Sequence, residues 1–252
     1  MIKKTIVLFS CWVSLPLLAQ GSTMTIDHGE FKLLYDCENR TALRFEYTAK
    51  PDVGNLKRRA RFTRDPSIPE TCQQQFSQDS YAKTKPGWDR GHLVPANHMD
   101  HQKEYLRSAN YMTNIVPQQS KLNGGIWAET ELLVECYRDQ APVRVYGGVV
   151  YSDPNNDYFV TSHGIKTPDY FWKTLITRDP STKETKTISW YIPHIDRPGP
   201  LDRYIVSISE LEQKIGAEQV AIQEDPAIQE DPAIKQHKPA KSWARPKDCQ
   251  PG

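Results

Sequence analysis

Apolar residues alternate with polar ones in short bursts along the N-terminal third of the chain. Phe31, Leu33 and Tyr35, then Leu43, Phe45 and Tyr47, keep a period of two and predict strands from about residue 27 onward. Residues 87–95 read as a turn entering a strand, 102–110 as a helix, and 111–116 as another strand. The clearest helix is 123–140, with Asn123 as its cap and Ile126, Trp127, Leu133, Val134 and Tyr137 as a broad apolar face. Residues 143–151 predict a buried strand interrupted by Gly147-Gly148. Residues 170–176 and 187–192 predict two more. Ser209 with Glu212 fits a capping box for a short helix that Gly216 ends. Beyond Gly216 the hexapeptide Ala-Ile-Gln-Glu-Asp-Pro occurs twice in succession (221–226 and 227–232), too few copies for a solenoid. A basic stretch follows, so 217–252 reads as a low-complexity tail behind one domain spanning 23–216.

Composition narrows the class. The chain has 252 residues, 38% hydrophobic and 25% charged, which is globular rather than disordered. Nineteen prolines against thirteen glycines argue for many turns and against a long helical bundle. A formal net charge of +1 excludes a protein that grips polyanions by bulk charge, so any nucleic-acid function needs a local basic patch. The run 57–64, with Lys57, Arg58, Arg59, Arg61 and Arg64, is such a patch; read blandly, it is a solvated turn.

Residues 1–20 carry Lys3 and Lys4 before a nearly unbroken apolar stretch from Ile6 to Leu18. This predicts a cleaved secretory signal peptide and a periplasmic or secreted protein, the alternative being an uncleaved anchor. Cleavage removes Cys11 and leaves Cys37, Cys72, Cys136 and Cys249, an even set that suggests two disulfides with three possible connectivities. No pair is spaced as Cys-x-x-Cys, which disfavours structural zinc.

The chemistry concentrates in Asp89-Arg90-Gly91-His92. A neutral imidazole can take a proton from water near neutral pH. A guanidinium can neutralise phosphate oxygens, and the acid can brace a neighbour. Asn123 and Glu131 follow on the 123–140 helix. An amide oxygen is a hard, neutral ligand of the kind Mg²⁺ accepts, although an isolated Asn there is most simply a cap. His28, His98, His101, His163, His194 and His237 show no competing ligand spacing and read as structural or surface residues.

Taken together, residues 89–96, 110–118, 122–131, 146–151, 167–173 and 207–216 resemble, in order, the motifs of the DNA/RNA non-specific endonucleases, a family of ββα-metal (His-Me finger) nucleases. The resemblance spans about residues 31–216. It implies an α+β fold, with a mixed, mainly antiparallel central sheet flanked by helices and a ββα-metal active-site motif. It further implies His92 as general base, Asn123 as direct ligand of one Mg²⁺ (with Mn²⁺ as a stand-in), and Glu131 as holder of metal-bound water. Arg90 would lie at the scissile phosphate, with Arg59 or Arg61 as the upstream arginine. Asn110, Asn114 and Asp89 would line the substrate site. DNA and RNA are the implied substrates, cut to leave 5′-phosphate ends. The competing expectation is a catalytically weak nucleic-acid-binding protein of the same fold.

Overall fold

The computed structural model describes residues 23–54, 56–57, 61–74, 81, 87–156, 165–247 and 249. The expected leader at 1–20 and Arg59 lie outside them.

Seven antiparallel strands form the central sheet: β1 (Thr23–Asp27), β2 (Phe31–Asp36), β3 (Thr41–Ala49), β6 (Val143–Val150), β7 (Tyr170–Arg178), β8 (Thr185–Pro193) and β9 (Ile205–Val206), adjacent in that order. Two further strands, β4 (Trp88–His92) and β5 (Ile115–Gln119), pair with each other as a separate ribbon. Helix α1 (Lys103–Ala109) lies between them in sequence. The chain leaves β5 through α2 (Ser120–Leu122), a π-type turn (Asn123–Trp127) and α3 (Ala128–Arg138), and returns to the sheet as β6 beside β3.

Strand alternation assigns the sheet two apolar faces. Leu33, Phe45, Val145, Phe171, Leu175, Ile188 and Trp190 pack with Leu122, Trp127, Leu133 and Val134 on the face that carries the ribbon and α3. Trp172 and Ile176 point the other way and meet Ile208 and Leu211 of α4 (Ile208–Ile215). With both faces covered, the middle strands are almost wholly buried.

Several expectations are corrected in detail. Residues 112–114 form a 3-10 turn, and the strand begins at Ile115. The cap of α4 is Ser207, whose hydroxyl accepts from the Glu210 amide while Glu210 returns to the Ser207 amide; Ser209 already lies inside the helix. Gly216 does end α4, at φ +88°, a backbone angle that disfavours side chains. Asn123 caps nothing: helical backbone starts at Ser120 and runs through Asn123, whose φ and ψ are themselves helical.

The residues after Gly216 are not a loose tail. They form α5 (Ala217–Val220), α6 (Pro226–Glu230) and a 3-10 turn (Pro232–Gln236). Each copy of the hexapeptide repeat ends in an Asp-Pro step that opens a helical turn: Asp225 accepts from the Ala227 amide, and Asp231 from the Ala233 amide. Val220, Ile222, Ala227 and Ile228 complete the far-side core with Trp172 and Ile176. Asp225 is buried and accepts from Arg144 Nε and Nη2, at 2.6 and 3.0 Å, and from the Tyr146 hydroxyl at 2.9 Å. The disulfides are Cys37–Cys72 and Cys136–Cys249, the second pinning the C-terminal strap to α3. Among the described residues, no helix is long and apolar enough to cross a membrane.

Candidate active site

The ribbon presents Trp88, Arg90 and His92 on one side, and Asp89 and Gly91 on the other. Gly91 is required by packing, because a Cβ there would lie 2.2 Å from the Oε1 of buried Gln118. His92 is half-buried at the ribbon's end. Its Nε2 lies 3.1 Å from Asn110 Oδ1, and Asn110 donates its own Nδ2 to the Leu106 carbonyl at 2.8 Å. That second bond identifies the Asn110 oxygen as the atom facing the imidazole. Nε2 therefore carries the proton, and Nδ1 of the neutral ring keeps its lone pair. Burial holds the imidazole below its ordinary value of 6.5, the Asn110 bond opposes this, and the Arg90 charge reinforces it. The Arg90 guanidinium stands 4.3 Å over the Phe62 ring, which in turn lies 5.5 Å from the imidazole.

Across from the ribbon, Asn123, Trp127 and Glu131 recur every four residues, and Trp127 and Glu131 share one side of α3. The π-type turn that begins this stretch contains Gly125 at φ −107°, ψ −119°, so the backbone is locally off-helix between Asn123 and Trp127. Asp89 reaches over from the ribbon, accepting from Ser120 Oγ at 2.7 Å and from Asn123 Nδ2 at 2.9 Å. This orients the Asn123 carboxamide and leaves its Oδ1 as the outward acceptor. The Trp127 indole N–H donates to the His92 carbonyl at 3.3 Å, which ties the site helix to the end of the ribbon. Lys173 Nζ sits 4.0 Å from Glu131 Oε1. Burial raises the Glu131 carboxyl, and the Lys173 charge opposes that shift.

The 61–74 segment borders the same cleft. It is clipped to the ribbon's approach by Met112 N to Thr63 O (2.9 Å) and Thr63 N to Asn110 O (3.3 Å). Beneath it, buried Asp65 receives Thr113 Oγ1 at 2.7 Å and Ser67 Oγ at 2.6 Å, and faces His28 Nε2 at 3.2 Å. Burial works against the Asp65 carboxylate, but these hydrogen bonds hold it down at about 2. Arg61 is exposed on this segment, next to Phe62.

The fold thus brings His92, Asn110, Arg90, Asp89, Asn123 and Glu131 to one place, with Arg61 at its border. It does not bring Asn114. That side chain is fully buried and spent on backbone, accepting from Val94 N and donating to the Val94 and Ala109 carbonyls. It builds the turn rather than lining the site. Asp89 and Asn110 hold protein partners, Asn123 and His92, and orient them. Three participants were given no role in the sequence reading. Phe62 has no local signal that would mark it, and Lys173 entered only as the last residue of the 167–173 motif. Trp127 did have one, its four-residue offset from Asn123, but it read only as core.

The profile of the DNA/RNA non-specific endonucleases matches residues 14–224. Mitochondrial nuclease EXOG of Danio rerio is 26% identical over 176 residues, covering 64% of this chain and 49% of its own. The nuclease of Serratia marcescens is 25% identical over 131 residues, covering 51% of this chain and 49% of its own. The chain spans about half the length of these curated relatives. In fold, it is similar to a chain of the EndoG/EndoGI complex crystal structure, with a TM-score of 0.62 at 19% identity, over 75% of this chain and 82% of that one.

Proposed function

This chain belongs to the DNA/RNA non-specific endonuclease family, and from that premise we propose that it hydrolyses phosphodiester bonds in both DNA and RNA, with His92 as general base and one Mg²⁺ as cofactor. The observation that carries the reading is the His92–Asn110 pair, which leaves an unprotonated imidazole nitrogen at a cleft bordered by arginines. With its pKa lowered by burial, the ring is neutral at pH 7 and can accept a proton from water at Nδ1. That water attacks phosphorus, the 3′ oxygen leaves, and the phosphate stays on the 5′ side. Arg90, steadied on Phe62, neutralises a phosphate oxygen. One upstream arginine of the basic run, Arg61 or Arg59, would share that charge.

The donor set suits a hard cation that keeps most of its waters. Asn123 offers one neutral oxygen held in place by Asp89, and Glu131 offers a carboxylate eight residues further along. Among the described residues, no three His, Cys, Asp or Glu side chains converge as a cage of the kind zinc prefers. Asn123 would hold Mg²⁺ directly and Glu131 through water; Mn²⁺, with similar preferences, would serve in its place. Bound there, the cation supplies Lewis-acid stabilisation of charge on the phosphate and the leaving oxygen. The roles assigned here are all toward phosphate and water, which carry no base sequence, and hydrolysis by external water needs no 2′ hydroxyl, so both nucleic acids are substrates.

The apolar leader and the two disulfides support export to the periplasm or medium, since disulfides persist in oxidising compartments. The EXOG relatives are named mitochondrial. Amino-terminal sequencing of protein recovered from periplasm or medium is expected to start near residue 20, and an intact leader on a cytosolic product would defeat export. The activity itself is tested by incubating the protein with supercoiled plasmid and structured RNA, with Mg²⁺ and with chelator. Loss of both substrates only in Mg²⁺ is expected. Salt-sensitive binding without cleavage would instead support the weak-binder reading.

A further inference from the structure

The structure assigns to Lys173 the role of a positioning residue, which holds Glu131 and Trp127 in place for hydrolysis; the inference rests on the reading of Glu131 given above. Lys173 lies mid-strand in β7, in register between Gly147 of β6 and Trp190 of β8, and is fully buried. Its neighbours on the same face, Phe171 and Leu175, are apolar core residues. An apolar side chain would fill this place, whereas a buried charge costs several kcal/mol unless it is compensated.

The compensation comes from one turn of the site helix. Lys173 Nζ donates to Thr130 Oγ1 at 2.8 Å, stands 3.7 Å from the Trp127 ring centroid, and lies 4.0 Å from Glu131 Oε1. Thr130 is set for this contact because its hydroxyl proton goes to the Trp127 carbonyl at 2.7 Å, leaving the oxygen to accept. Trp127 passes the constraint on to the base through the His92 carbonyl. At 4.0 Å the ammonium attracts the carboxylate without a short hydrogen bond, so the Glu131 oxygens remain available to water. Burial raises Glu131 and lowers Lys173, and each partner's charge opposes the other's shift.

The test uses Lys173→Met, Glu131→Gln, the double variant and Thr130→Val in the full-length mature protein. Turnover of plasmid in Mg²⁺ is read alongside two measurements in chelator: plasmid affinity and the thermal unfolding midpoint. Lys173→Met is expected to lower kcat about 100-fold, the scale of a lost catalytic contribution, with KM and chelator affinity within about threefold of the parent. Its midpoint should be unchanged or higher, because apolar replacement of a buried charge is often neutral or stabilising. The double variant should be no slower than the slower single variant, the signature of two residues acting as one unit. Thr130→Val should lose about tenfold in kcat, an intermediate effect consistent with one lost hydrogen bond to a charge, and it carries the test if Lys173→Met does not fold. Multiplied losses in the double variant, a Lys173→Met kcat near the parent's, or a kcat that recovers when counted per folded molecule would each overturn the role. A fully active Glu131→Gln would instead refute the reading of Glu131 itself.

Discussion

Two polar regions of this molecule use their charges in opposite ways. In the ribbon and site helix, polar groups hold one another so that a chosen atom stays free: His92 Nδ1 behind Asn110, Asn123 Oδ1 behind Asp89. In the C-terminal segment, polar groups are consumed. Asp225 spends its carboxylate on Arg144, Tyr146 and the Ala227 amide, and Lys235 and Lys238 pair with Glu212 and Glu210 of α4. Lys and Asp in a sequence do not say which use they serve. What separates the two regions is whether the last valence of each group faces protein or cleft.

That contrast can be broken first at His92. His92→Ala is expected to lower turnover by about 10²–10⁴-fold, the usual weight of a general base. Its unfolding midpoint should stay near the parent's, because the backbone carbonyl that receives Trp127 survives. Near-full activity in this variant would remove His92 as the base.

The opposite pattern is expected in the C-terminal segment. Asp225→Ala should cost about 3–5 kcal/mol of stability, as when one partner of a buried pair is removed. Its activity per folded molecule should be unchanged. Replacing Cys136 and Cys249 by serine should cost about 2–4 kcal/mol, since the bridge closes a long loop. Denaturant melts with parallel activity assays read both effects, and loss of turnover in a fully folded Asp225→Ala would erase the distinction.

Acid sharpens the comparison with the smallest effect. As the proposed base, His92 works unprotonated and its pKa is depressed, so the limb it adds to the pH–rate profile should lie below 6.5, while the Glu131 carboxyl, raised to about 7 by burial against the opposing Lys173 charge, adds a second limb near neutrality. His98, buried away from the cleft between Tyr47 and Glu135, is held down at about 4 by burial, against the opposing pull of Glu135. The unfolded chain takes up that proton first. Stability should therefore decline as pH falls from 6.5 toward 4, and level off for this group below that. A pH–rate profile and a pH series of melts separate the two, and a His92 imidazole that titrates above 6.5 by NMR would contradict a desolvated base.

Much of this was legible beforehand. Strands β2, β3, β6, β7 and β8 announce themselves by alternation or by apolar runs, and α1 by composition. The ordered motifs around His92 and Asn123 carried the family and the fold class. What failed to read were groups whose meaning depends on a distant partner. The Asn123 cap is a plausible local reading, overturned because Ser120 already starts the helical backbone and Asp89 claims the side chain. Asn114 resembled a cleft residue and proved to be a backbone brace. The repeated hexapeptide looked like linker because its apolar content is low, yet its few apolar positions are the ones a waiting sheet face can bury.

The amino-acid sequence by itself determined the inventory: an imidazole after Arg-Gly, an amide and a carboxylate eight residues apart, strands by their period, and four cysteines after residue 20. These are written in contiguous residues, where sterics and periodicity act locally. Tertiary structure alone decided which imidazole nitrogen is free, which way the Asn123 oxygen faces, which cysteines pair, and that a lysine on β7 stands beside a glutamate on α3. Those outcomes depend on long-range closure, in which burial strips water from a polar group and leaves it to whichever partner the fold has brought within reach.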